Sequence, residues 1–185
     1  MHIVSGYLKG RKIPTAKNAK YRPSTGRFKE ALFSILTSST FEGRLKDKKF
    51  LDLYSGSGAI GLEAISRGTK KTTFVDLDKA NIETLKDFIS EISIEDKAEY
   101  LCCDASRLGY TKEKYDIVFM DPPYHKDMAQ KTLSSLIANS WMEDKCLVII
   151  EIGATDTLII PEKLTLHLDR KYGNSRLMIL EYLEE

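Results

Sequence analysis

The stretch Leu51-Asp52-Leu53-Tyr54-Ser55-Gly56-Ser57-Gly58-Ala59-Ile60-Gly61 decides the fold. A short apolar run enters it and an apolar run with helical spacing leaves it. Gly56, Gly58 and Gly61 between them keep a Gly-x-Gly-x-x-Gly spacing. A strand that turns on glycines into a helix brings backbone close to a ligand and aims free helix N–H groups at it. Working outward, the chain alternates. Strands are predicted at 50–54, 72–76, 99–103, 115–120 and 146–152, and helices at 58–67, 79–92 and 127–139. Two β-rich runs, 164–168 and 176–183, follow with only Tyr172-Gly173-Asn174-Ser175 between them, so they pair as an antiparallel hairpin. The fold class is α/β: a single Rossmann-like domain with a mostly parallel seven-stranded sheet, helices on both faces and a C-terminal antiparallel hairpin.

Upstream, residues 2–6 and 9–14 predict a small N-terminal β-hairpin. A helix is predicted after Arg22-Pro23-Ser24, with Phe28, Ala31, Leu32, Ile35 and Leu36 on its buried face and Arg27, Lys29, Glu30 and Ser34 on the other. Residues 1–24 form a basic hairpin or arm and 25–185 the catalytic α/β core, all within one domain. The 185 residues carry 28 Lys and Arg against 27 Asp and Glu, a net charge of +1. This balance hides an asymmetry. Residues 1–49 hold twelve basic side chains and three acidic ones, a net of +9, which leaves −8 for the rest. A basic front facing an acidic body favours a polyanionic partner. Arg11, Lys12, Lys20, Arg22 and Arg27 are the candidate contacts.

Other classes are set aside on composition. At 42% hydrophobic and 30% charged, the chain is neither disordered nor low in complexity. No apolar run approaches the roughly 18 residues of a membrane span, and the opening residues lack a signal-peptide core. Three cysteines (Cys102, Cys103, Cys146) without metal spacing favour a reducing, cytoplasmic setting. Cys102 and Cys103 are read as core residues, as is Trp141. A monomer without a metal is expected.

The acids choose the ligand. Asp52 lies in the first core strand, and Asp76, Asp104 and Asp121 fall at the ends of the next three, where an open parallel sheet gathers its ligand. Carboxylates there repel a pyrophosphate, which counts against an NAD-type oxidoreductase. They suit S-adenosylmethionine, with its ribose, adenine amine, sulfonium and ammonium. Asp76 is placed on the ribose and Asp78 at the cap of the following helix. The fourth strand runs into Asp121-Pro122-Pro123-Tyr124. Two prolines fix an extended turn with outward carbonyls. A carboxylate and a proline carbonyl can together accept from a planar –NH2 group, and Tyr124 offers a stacking face. These four are the candidate catalytic residues.

Together these motifs resemble Rossmann-type, S-adenosylmethionine-dependent amino-methyltransferases. Arg22-Pro23-Ser24-Thr25-x-Arg27-x-x-Glu30-x-x-Phe33, the opening Ile3-Val4-Ser5-Gly6-x-x-x-Gly10-Arg11 and the loop from Leu53 to Ala64 resemble the RsmD-type guanine-N2 methyltransferases of small-subunit (16S) ribosomal RNA. Ser24 stands where that family often has Thr. The resemblance implies a cofactor site of Asp52, Tyr54, Ser55, Gly56, Ser57, Gly58, Asp76, Asp104 and Ala105. It also implies S-adenosylhomocysteine as product and ribosomal RNA or the small subunit as partner. DNA or RNA adenine-N6 methylation is the alternative.

Overall fold

The computed structural model describes residues 1–15, 26–41, 43–123 and 127–184, with 26 and 27 described for their backbone alone. Seven strands form one sheet: β1 (Lys49–Leu53), β2 (Lys71–Asp76), β3 (Ala98–Cys102), β4 (Tyr115–Met120), β5 (Met142–Gly153), β6 (Leu164–Tyr172) and β7 (Ser175–Tyr182). Their order is β3-β2-β1-β4-β5-β7-β6. The first five pair in parallel, and β7 lies antiparallel between β5 and β6. This is the Rossmann-type methyltransferase arrangement. The chain runs one way from β1 to β3 and the other way from β4, so the order reverses between β1 and β4. Ligand crevices open at that reversal, beyond the carboxyl ends of the strands.

Burial follows from the sequence. β1, β2 and β4 are almost wholly buried, as parallel strands covered on both faces must be. On one face lie α1 (Gly26–Leu36), α2 (Ala59–Ser66) and α3 (Lys79–Glu91). Phe28, Leu32, Phe33 and Leu36 of α1 pack there with Phe50, Phe119 and Ile149, while Leu85 and Phe88 of α3 pack with Phe74. The other face is covered by α4 (Met128–Ala138), whose Leu133 and Leu136 meet Val118, Met120 and Val148. Trp141 belongs to this core, stacked on Tyr115 at 5.8 Å and donating to the Gly109 carbonyl at 2.8 Å.

The N-terminal segment pairs on itself through an isolated bridge between His2 and Lys12, with Ile3 and Arg11 joined N–H to O at 3.0 Å. Ile3, Leu8 and Ile13 add to the core of α2 and α3. Gly6 has φ +77°, and a β-carbon there would fall 1.8 Å from the Ser66 carbonyl oxygen, so only glycine fits.

Three expectations are corrected. Lys29 is only 2% exposed rather than on a solvated face. Its ammonium meets Glu63 at 3.2 Å and donates to the His2 carbonyl at 2.6 Å. Arg44, Lys48 and Lys49 likewise pair with Glu181, Asp116 and Glu113, so part of the basic front is neutralised by the acidic body. Cys102 is exposed, because β3 is an edge strand, and Cys103 is half-buried. Among the described residues no helix is long and apolar enough to cross a membrane.

Candidate active site

A cavity of about 1070 Å³ opens over the carboxyl ends of β1, β2 and β4. The glycine loop forms its floor. Tyr54, Gly56 and Gly58 all have left-handed backbone, with φ of +60°, +53° and +71°, and this coils the chain from β1 into α2. Tyr54 takes up that conformation with its hydroxyl 2.6 Å from Thr132 Oγ1. Gly61 is required by packing: a β-carbon would lie 2.3 Å from Phe74 Cε1 and 2.9 Å from Asp52 Oδ2. Gly58 does not line the cavity. A β-carbon at Gly58 would meet the Leu85 side chain at 2.7 Å, so this residue shapes the turn rather than the wall.

The carboxylates differ in environment. Asp52 is 1% exposed and its Oδ2 accepts from Gly61 N–H at 2.9 Å. Burial pushes its carboxyl up to about 8, with the Gly61 bond opposing and the nearby Asp76 charge adding to the rise. Asp76 ties the loop to α3: its oxygens accept from Gly56 N–H at 2.7 Å, Asp78 N–H at 2.8 Å and Asn81 Nδ2 at 3.3 Å. Asp78 caps α3, accepting from Ala80 N–H at 2.9 Å. Asp104 accepts from the Ser106 hydroxyl at 2.7 Å and Ser106 N–H at 2.9 Å, and these bonds hold its carboxyl below the usual range.

Eleven of the sequence-predicted residues line this one cavity: Asp52, Tyr54, Ser55, Gly56, Ser57, Asp76, Asp104, Ala105, Asp121, Pro122 and Pro123. Tyr124 lies outside the described residues, as do Lys20, Arg22 and the side chain of Arg27. Arg11 and Lys12 are exposed on the N-terminal hairpin, away from the cavity wall. Sequence reasoning missed Phe28, Phe119, Asn81, Glu151 and the β6–β7 turn from Tyr172 to Ser175. One signal was available: Glu151 is an acid near the end of an otherwise apolar run, the pattern already noted for Asp76 and Asp121. Phe28 meets Tyr172 edge to face, with ring centroids 6.2 Å apart, so α1 and the hairpin turn close one side of the cavity together.

A Rossmann-type sheet with an acid-rimmed glycine loop, opening onto an Asp-Pro-Pro turn, defines a methyltransferase class. Comparison with known proteins agrees. Residues 1–181 match the family described as conserved hypothetical protein 95. The chain is 32% identical to the uncharacterized methylase RP545 of Rickettsia prowazekii, over 98% of both chains. It is 33% identical to ribosomal RNA small subunit methyltransferase D of Haemophilus influenzae, over 94% of this chain and 89% of that one. The solved structure of yhhF from Escherichia coli superposes with a TM-score of 0.84 at 28% identity, covering 100% of this chain and 99% of that chain. The chain belongs to the conserved hypothetical protein 95 family of RsmD-like methyltransferases.

Membership implies S-adenosylmethionine as methyl donor, and the cavity fits it. Its wall holds two buried polar atoms without a hydrogen-bond partner among the described residues, Ser55 Oγ and Asn81 Oδ1. Such atoms are costly unless a ligand meets them. Asp52 beside them is a buried carboxyl that a cation would favour in its charged form.

Proposed function

We propose that this methyltransferase modifies the exocyclic amine, N2, of a guanine in small-subunit ribosomal RNA. The observation that carries the reading is that the glycine loop and the Asp121-Pro122-Pro123 turn open into one cavity. Its volume of about 1070 Å³ has room for a nucleoside-sized cofactor and a base together. The Haemophilus influenzae relative, a ribosomal RNA small subunit methyltransferase, supplies the substrate class.

S-adenosylmethionine, when bound, supplies an electrophilic methyl group on a sulfonium. The chain's residues do the rest by holding and orienting. The main chain from Tyr54 to Ser57, coiled into place by Gly58, and the carboxyl of Asp52 receive the cofactor's amino-acid end. Asp76 accepts from the ribose hydroxyls with the lone-pair capacity its three N–H bonds leave, and Asp104 with Ala105 borders the adenine. The Asp121 carboxylate and the Pro122 carbonyl accept the two N–H bonds of the guanine amine and turn its lone pair toward the methyl group. Tyr124 stacks on the base, which must leave its own stack to enter. Arg11 and Lys12, with Lys20, Arg22 and Arg27, hold the RNA backbone. Asp121 is an acceptor here, since an ordinary Asp is too weak a base to deprotonate an amine.

Asp121→Ala tests the assignment. The variant should bind S-adenosylmethionine with wild-type affinity in calorimetry and lose at least about 100-fold in methyl transfer, the scale of one charged hydrogen bond plus lost orientation. Full activity in this variant would overturn it.

A further inference from the structure

We propose that Glu151 reads the N1–H of the target guanine and so sets guanine over adenine; this deepens the guanine reading above and rests on it. β4 and β5 run in parallel with Met120 opposite Ile150, which places Asp121 beside Glu151 one step further along. Side chains alternate along a strand. Ile149 and Phe119 share the α1 face of the sheet, and Glu151, two residues past Ile149, projects to that same side. Glu151 is only 5% exposed and lines the cavity together with Asp121. The Phe28–Tyr172 pair adds aromatic surface to the wall of the same cavity, on which a base can pack.

The chemistry is one of neighbouring donors. Guanine presents N1–H and the N2 amine side by side, and two carboxyls on adjacent strands accept both. Adenine offers an N1 lone pair at the corresponding place, which a carboxyl oxygen repels. A site built to accept a substrate N–H rejects analogues that present a lone pair there, because two acceptors then face each other.

The test uses small-subunit RNA carrying guanine, 2-aminopurine or 2,6-diaminopurine at the mapped methylation position, assembled into subunits. All three bases keep the C2 amine, but the two analogues carry a lone pair at N1. Wild-type kcat/KM should fall at least about 100-fold on either analogue. Glu151→Gln should lose about 30-fold on guanine and, because its amide can donate to N1, narrow the gap to under about 10-fold. Calorimetric titration with S-adenosylmethionine reports whether the variant is folded; if it is not, Glu151→Asp, which keeps a carboxyl but draws it back, takes its place and should lose rate on guanine more than on the two analogues. Glu151→Gln at wild-type rate on guanine, an undiminished gap in a folded variant, or a wild type indifferent to the analogues overturns the role of Glu151 alone. A wild type that leaves guanine unmethylated in every RNA overturns the parent reading as well.

Discussion

Replacing Glu63 by alanine should be among the most damaging single changes outside the cavity. Glu63 lies on α2, fully buried, and gathers four donors: Val4 N–H at 2.8 Å, Ser5 N–H at 3.0 Å, Arg67 Nε at 2.9 Å and the Lys29 ammonium at 3.2 Å. It thereby fastens the N-terminal hairpin and α1 to the helix that follows the glycine loop. The alanine variant leaves Lys29, 2% exposed, with the His2 carbonyl as its polar contact. Removing one partner of a buried pair costs about 3–5 kcal/mol, and for a domain of this size each kcal/mol lowers Tm by about 2–4 °C. The expected loss is therefore about 10 °C in thermal unfolding followed by circular dichroism. It should persist in 1 M salt, because buried pairs are little screened. Amide exchange at Val4 and Ser5 should accelerate selectively. The control is Glu83→Ala, which breaks the exposed pair of Glu83 with Lys79, 59% and 80% exposed, and should cost under about 0.5 kcal/mol. A Glu63→Ala loss no larger than that control would refute the reasoning.

Two further predictions follow from charge. Burial favours the protonated form of Asp52 in the ligand-free protein, with its carboxyl up to about 8, so folding stability should fall as pH rises from about 4 toward 8. Asp52→Asn should flatten that part of the Tm–pH curve, raise Tm at pH 8 and weaken S-adenosylmethionine binding at least about 10-fold; unchanged curves would contradict this. Arg11→Ala and Lys12→Ala should each reduce the slope of log affinity against log salt for RNA by about one. Filter binding across a salt series measures it, and an unaltered slope removes the residue from the interface.

Much of this architecture was legible because the physics was local. Phe50-Leu51-Asp52-Leu53 in β1 and Ile117-Val118-Phe119-Met120 in β4 announce buried parallel strands, and the glycines with Asp78 announce the turn and the cap of α3. What stayed hidden depends on distant neighbours. β6 extends to Tyr172 through Asp169-Arg170-Lys171, which reads as a loop until its place at the sheet edge lets those side chains face water. Lys29 reads as solvated until Glu63, 34 positions later, meets it in the core. The hairpin turn from Tyr172 to Ser175 reads as a plain connection, and only the antiparallel β5–β7 pairing carries it back over the cavity. Glu151 belongs to this group only in part: an acid closing an apolar run is a visible signal, but its place beside Asp121 emerges only when β4 is laid next to β5.

The central claim is the substrate. Methyl transfer from radiolabelled S-adenosylmethionine should be measured in parallel on small ribosomal subunits, large subunits, naked ribosomal RNA and plasmid DNA, the ribosomal material coming from cells lacking this gene. The account predicts label in small-subunit RNA, recovered as N2-methylguanosine. Label on DNA adenine or on protein, with none in that RNA, would contradict it.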